Sequence, residues 1–367
     1  LLSNSLLNNI KDTTYYSDIY FQKEETLKSA AGTKSVIFNT TGTRLYAMNL
    51  EGLSVFEFDR EAKKIRRQFK FKPHRGIGWD YQTKMPVPSW QEKPVEACFT
   101  NNDKLLWVSL HNAEGIVPIT IEDDFHCPMN WDTSLTKSIS VINNDGSTYK
   151  IDVPLIKTGL TPKVITSVNQ NNLLVSNWHS KTVSVLSIDN NKFPFGKNIK
   201  NIPVQAIPRG ICVDEKNGKS FIAIMGSNTI AMVDNKSWKI DRYIKVLANP
   251  RHIVLGEDNK MFVSFNSLNQ VACINTQTGA TLFSIPTHLN PRSIALSKNK
   301  KFLFVTCYNG NTLDVLKITN NSFVPLYSLN CPGKPVGIDL YEDNEKIEAW
   351  VCNYVGGNIK VITFNKK

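Results

Sequence analysis

Residues 290–331 read NPRSIALSKNKKFLFVTCYNGNTLDVLKITNNSFVPLYSLNC, and this stretch decides the fold. Ile294 and Leu296 alternate with small residues before the polar turn SKNKK. Phe302 to Thr306 is a dense run of β-formers, and YNGN turns the chain again. Thr312 to Ile318 and Ser322 to Leu329 follow, with Asn320-Asn321 between them. Short apolar runs of period two between Asn/Gly/Ser clusters mark strands, and nothing here keeps a helical period. Four antiparallel strands in about 40 residues make one propeller blade, which buries its faces only against neighbours.

The unit recurs. Pro291-Arg292-Ser293-Ile294 has counterparts beginning at Pro208, Pro250 and Pro335, at intervals of 42, 41 and 44 residues. Pro162, Pro94 and Thr33 open earlier copies, and each opening leads through a polar turn into a strand such as LLWVS, NLLVS or FLFVT. Seven units predict an all-β, seven-bladed propeller spanning 1–367 as one domain. After Pro335 the chain supplies only three strands, whereas Tyr16 to Ser29 is a strand to spare. Pairing the two completes the last blade and removes exposed edges. Residues 1–15 form an N-terminal extension.

Two long intervals imply insertions at about 72–93 and 111–136. The second is placed between strands two and three of blade two, because residues 137–159 match the third and fourth strands of blade three. Connections from strand four to the next blade, and from strand two to three, share one rim. Both insertions are therefore expected on one face, with His74, Arg75, Trp79, Trp90, His126 and Trp131. Trp178, His179, Tyr308 and Tyr354 join them from the turns between second and third strands.

The residue after the opening Pro or Thr is Lys34, Lys163, Arg209, Arg251 or Arg292 in five blades, with Val95 and Val336 in the others. Five cations would ring the mouth of the channel. Either they brace neighbouring carbonyls and carboxylates, or they form a funnel that attracts an anion, since a cleft of one sign focuses field and Arg forks suit carboxylate or phosphate. The net charge of +11 allows an anionic partner and is equally explained by a solubilising surface. Seven cysteines without CxxC indicate neither a zinc site nor a disulfide framework. No transmembrane run of 18 apolar residues is present, and GxSxG, HExxH and nucleotide-binding motifs are missing. Asp123, Asp124, His126 and Cys127 could bind metal, but neighbours on an extended loop point apart, so neither a metal nor a cofactor is expected.

The P-R-x-I openings, the FVSF, FVTC and WVCN second strands and the SVINND and VSVLSID third strands resemble the YVTN β-propeller repeat family. Cys307 stands where that family's tetrad has Asn. The resemblance implies seven blades and an exported, periplasmic or cell-surface protein; the unpaired cysteines favour a reducing compartment, leaving a cytoplasmic location as the alternative. Family members include exported binding proteins and a DNA-binding type, with lactonases as neighbours. The expected function is a non-enzymatic binding or scaffold propeller for a protein partner or an anionic ligand. The alternatives are a lactonase-type hydrolase, drawing on Arg209, Arg251, Arg292, His179 and Glu96, and a basic face binding nucleic acid.

Overall fold

Leu105–Leu110, Phe302–Cys307 and Lys346–Asn353 are apolar on both faces instead of alternating. In the computed structural model, which describes residues 16–80, 82–122 and 126–367, each is the second strand of a blade and is almost wholly buried. A strand sandwiched between neighbouring blades has no solvent face, so it needs no polar alternate. Outer strands do the opposite. Thr281–Pro286 alternates exposed with half-buried residues, because one face meets water.

Seven antiparallel sheets form the ring. The four strands expected in the opening stretch lie at Pro291–Leu296, Phe302–Cys307, Thr312–Ile318 and Phe323–Asn330. Among the described residues, buried apolar side chains gather in seven clusters, one at each blade–blade interface. The cluster joining blades seven and one, including Val36, Phe58, Trp350 and Val361, closes the circle. Ile19–Lys28 pairs antiparallel with Asn358–Lys366 and completes the last blade. Tyr16 locks that strand in place: its ring stacks on Phe302 at 5.7 Å and its O–H donates to Glu342 at 2.6 Å. The N-terminal extension, residues 1–15, lies outside the described residues.

Inner strands begin at Thr33, Pro94, Pro162, Ile207, Pro250, Pro291 and Pro335 and touch one another in turn around the axis. Every one carries a register shift within its first residues. Such a bulge re-aims the side chain it contains, and the cationic positions fall inside it. The residues just before the strand, Gly32, Thr161, Asn249, Asn290 and Lys334, are left-handed in five blades. That conformation turns the chain inward, and Asn tolerates it better than most side chains.

Blade two departs from expectation. Its third strand is Gly115–Thr120, paired with Leu105–Leu110, and its fourth is only Ile156–Lys157. The run 137–154 instead forms a hairpin, Thr136–Asn143 with Thr148–Pro154, added to the outer edge of blade one beside Lys64–Phe71. Pro118 hides the true third strand in the sequence, since proline in a central strand removes a ladder donor. It is tolerated because the short fourth strand pairs only as far as Ile116. The intervening loop therefore leaves from the rim opposite the His111 turn. The two insertions do not share a face: 72–93 forms a hairpin, Arg75–Asp80 with Met85–Trp90, on the axial mouth, whereas within 111–136 residues 115–120 are blade two's own third strand and 126–136 lie by the hairpin added at the outer edge of blade one.

Candidate functional site: a cationic, aromatic-walled axial cavity

The second-strand Ser or Thr explains how a bulged inner strand stays folded. A bulge leaves an amide without a ladder partner, and a buried orphan N–H costs about 1–3 kcal/mol. Ser109 Oγ accepts from the Glu96 amide at 3.2 Å, Ser176 from Val164 at 3.0 Å, Ser264 from His252 at 3.1 Å, and Thr306 from Ser293 at 3.0 Å. Two of these hydroxyls also donate across to the next blade: Ser109 to the Lys163 carbonyl and Ser264 to the Arg292 carbonyl, each at 2.7 Å. In these four blades inner-strand bracing thus falls to hydroxyls, and the side chains of Lys163, Arg251 and Arg292 on three of those strands face the axis.

There they meet. Lys34, Lys163, Arg209, Arg251 and Arg292 line one cavity of about 630 Å3, together with Trp79, Trp178, Tyr308 and Tyr354. Four of the five cations lie near ring faces. The Arg292 guanidinium sits 3.4 Å from the Tyr308 centroid, Lys163 and Arg209 sit 4.7 and 4.9 Å from that of Trp178, and Lys34 is 6.0 Å from that of Tyr354. Contacts of this kind offset part of a cation's desolvation. Among the described residues, no carboxylate forms an ion pair with Lys34, Arg251 or Arg292. The Arg251 guanidinium makes one hydrogen bond, to Met225 Sδ at 3.6 Å, and sulfur is a weak acceptor. Arg292 Nε is buried with no partner.

Below the cavity the axis narrows to a space of about 20 Å3 that Glu96 and His252 also line. Burial pushes the Glu96 carboxyl up, against the pull of Arg209, Lys34, Lys163 and Arg251. Burial and the surrounding guanidinium groups hold the Lys34 and Lys163 amines well below their usual range. Burial likewise lowers Arg292, to about 10, yet a guanidinium at that value is still charged at neutral pH. Burial lowers Arg251 as well, but arginine keeps its proton inside proteins, so Arg209, Arg251 and Arg292 keep the axis positive.

The hairpin roofs part of the cavity with Gly78, Trp79, Val87, Pro88 and Ser89. Asn112 ties it to the disc by donating to Ser89 Oγ at 3.1 Å and to the Trp90 carbonyl at 2.8 Å. Gly78 leaves room within the hairpin and for this tie, since a Cβ there would stand 2.8 Å from Ser89 Cβ on the facing strand and 3.3 Å from Asn112 Nδ2. His179 stacks on Trp178 at 5.7 Å, meets Trp79 at 5.0 Å, and is fixed by Thr161 Oγ1 at 2.6 Å. Trp79 and Trp178 thus line the cavity as two rings bridged by His179, which is not itself part of the lining.

Other expected residues stand elsewhere. His74 is bound at the hairpin root to Glu92, which is fully buried and also paired with Lys137 at 2.6 Å. Arg75 lies over Trp90 at 4.8 Å, outside the cavity lining. His126 and Trp131 belong to the outer insertion and not to the mouth. His126 faces Asp152 at 3.4 Å, and Trp131 packs on Phe193 in a turn of the opposite rim. Asp123 and Asp124 lie outside the described residues. Sequence reasoning passed over Leu50, Glu51, Lys93, His111 and Asn112 as lining residues. Leu50-Glu51 and His111-Asn112 occupy the same turn as Trp178-His179, so aligning those turns blade by blade was the available signal. His111 is kept neutral by burial and by Lys163; Lys93 is neutralised by Glu51 at 2.7 Å.

No family model matches the chain. A curated relative, antigen Lp49 of Leptospira interrogans serogroup Icterohaemorrhagiae serovar copenhageni, is 24% identical over 281 residues, covering 73% of this chain and 58% of its own length. This chain therefore spans less than two thirds of that relative. Among solved structures, a streptogramin B lyase superposes with a TM-score of 0.65 at 15% identity over 94% of this chain and 98% of its own. The WD40 β-propeller domain of Doa1 gives 0.63 at 12% identity over 95% and 97%. Likeness at such identities carries the fold: the chain is a seven-bladed β-propeller. No described helix is long and apolar enough to cross a membrane.

Proposed function

We propose that this propeller is a non-enzymatic binding protein whose axial cavity takes a small anionic ligand. The observation that carries the reading is the absence of any ion pair on Lys34, Arg251 and Arg292, which line the same cavity. Partly desolvated charges held together without a contacting carboxylate repel one another and are costly, and an anion seated between them offsets that cost. The concave shape favours a small molecule over single-stranded nucleic acid, which needs a groove that tracks its backbone. The repeated Ser/Thr on the second strands supports membership of the YVTN repeat type. An exported or surface location rests on that resemblance and on the word antigen in the relative's name. A protein partner that reaches the cavity with an acidic side chain would use the same chemistry.

The test is Arg251→Gln combined with Arg292→Gln. Isothermal titration with inorganic phosphate should show at least a tenfold loss of affinity, and the wild-type affinity should itself fall with added salt. The melting temperature should stay within a few degrees of wild type, because hydroxyls brace the strands. Unchanged affinity would refute the reading.

A further inference from the structure

The cavity is chemically divided. Its axial end is built from the bulges of the inner strands, which bring Lys34, Arg251 and Arg292 together. Its outer end is built from the hairpin and the turn of blade three, which bring Trp79 against His179 and His179 against Trp178. Val87 and Pro88 add apolar surface from the hairpin's second strand. His179, which bridges the two tryptophans, adds no charge beside them at neutral pH, since burial and Lys163 lower its pKa below the ordinary histidine value. A cavity of about 630 Å3 is also far larger than a bare inorganic anion needs. It falls in the range of about 300–1,000 Å3 that encloses a small organic molecule.

Resting on the anion-binding reading above, we infer that the ligand is an aromatic organic anion. Its phosphate or carboxylate head seats on the axial cations, and its flat body lies along Trp79 and Trp178, which line the cavity and which His179 bridges. Two features make this more specific than general anion capture. Arg292 is held against Tyr308 with its Nε unpartnered, so its donors are oriented before the ligand arrives. Trp79 comes from an insertion that the blade repeat does not require, and that insertion is fastened to the disc at Asn112, beside the cavity. Stacking on aromatic faces is tolerant of ring identity, whereas a guanidinium fork selects heads that present two oxygens side by side, as carboxylate and phosphate do. The site should therefore discriminate strongly on the head and weakly on the ring.

The experiment uses four probes: phenyl phosphate, inorganic phosphate, benzoate and acetate, read by quenching of tryptophan fluorescence and by calorimetry. At least one aromatic anion should bind ten times more tightly than its counterpart without a ring, and the better pair identifies the head group. Trp79→Ala should weaken the aromatic anion at least fivefold and leave inorganic phosphate unchanged. Trp79→Leu keeps apolar bulk and should give an intermediate loss, which guards against a hairpin that simply fails to dock. Arg292→Gln should weaken both members of the better pair. Equal binding of ring-bearing and ringless anions would overturn the inference while sparing the anion site. An unchanged aromatic affinity in both Trp79 variants would overturn it too. Binding of none of the four would remove the anion reading and this inference together.

Discussion

Arg251 and its neighbour His252 show how one bulge sets two properties at once. The bulge sends Arg251 to the cavity and places His252 in the narrow axial space below, where its Nδ1 accepts from the Ile294 amide at 3.3 Å. Burial, with Arg251 and Arg209 nearby, pulls the His252 imidazole down to about 4. In the unfolded chain it titrates near 6.5. Between those values the unfolded state binds a proton that the folded state refuses, so stability is full above pH 6.5 and declines as pH drops toward 4. The decline due to this residue is at most ~3 kcal/mol. Urea denaturation at pH 7 and pH 4.5 should show a smaller acid-side loss in His252→Asn than in wild type. An identical loss in both would show that His252 is not the group responsible.

Among the elements, what could be read in the sequence depended on whether an element belonged to the repeat. The inner strands were legible because Pro-cation-x-Ile recurs, and the second strands because burial on both faces gives continuous apolar runs. The outer hairpin at 136–154 was not. Its buried residues Ile139, Val141, Ile151 and Val153 alternate as a third and fourth strand would, while Pro118 disguised the strand that holds that place. Periodicity reports which face of a strand is buried, and it is silent on which neighbour buries it. The N-terminal strand was legible by counting, since blade seven lacked a partner. Removing residues 1–28 should therefore cost stability: burial of Tyr16 and Ile19 alone contributes about 3–6 kcal/mol, before the backbone pairing is considered. Chemical denaturation should show a midpoint shift of that order or outright aggregation. A truncated protein as stable as the full chain would contradict closure by this strand.

For the whole molecule, ring closure converts a repeat into a site. One cation per blade means little on an isolated sheet, but five blades place them around one axis, and the hairpin adds an aromatic wall. The axial cations were legible because register in a closed ring fixes their height. Their lack of ion pairs was not, since pairing depends on side chains from other blades: Lys93 finds Glu51, whereas among the described residues Lys34, Arg251 and Arg292 close no ion pair, although Glu96 lines the narrow space below them. The most direct test is a crystal structure of the protein soaked in bromide, with anomalous scattering used to locate the ions. The account predicts a strong, fully occupied bromide on the axis within contact of Arg251 and Arg292. Bromide scattered over surface lysines, with an empty axis, would contradict it.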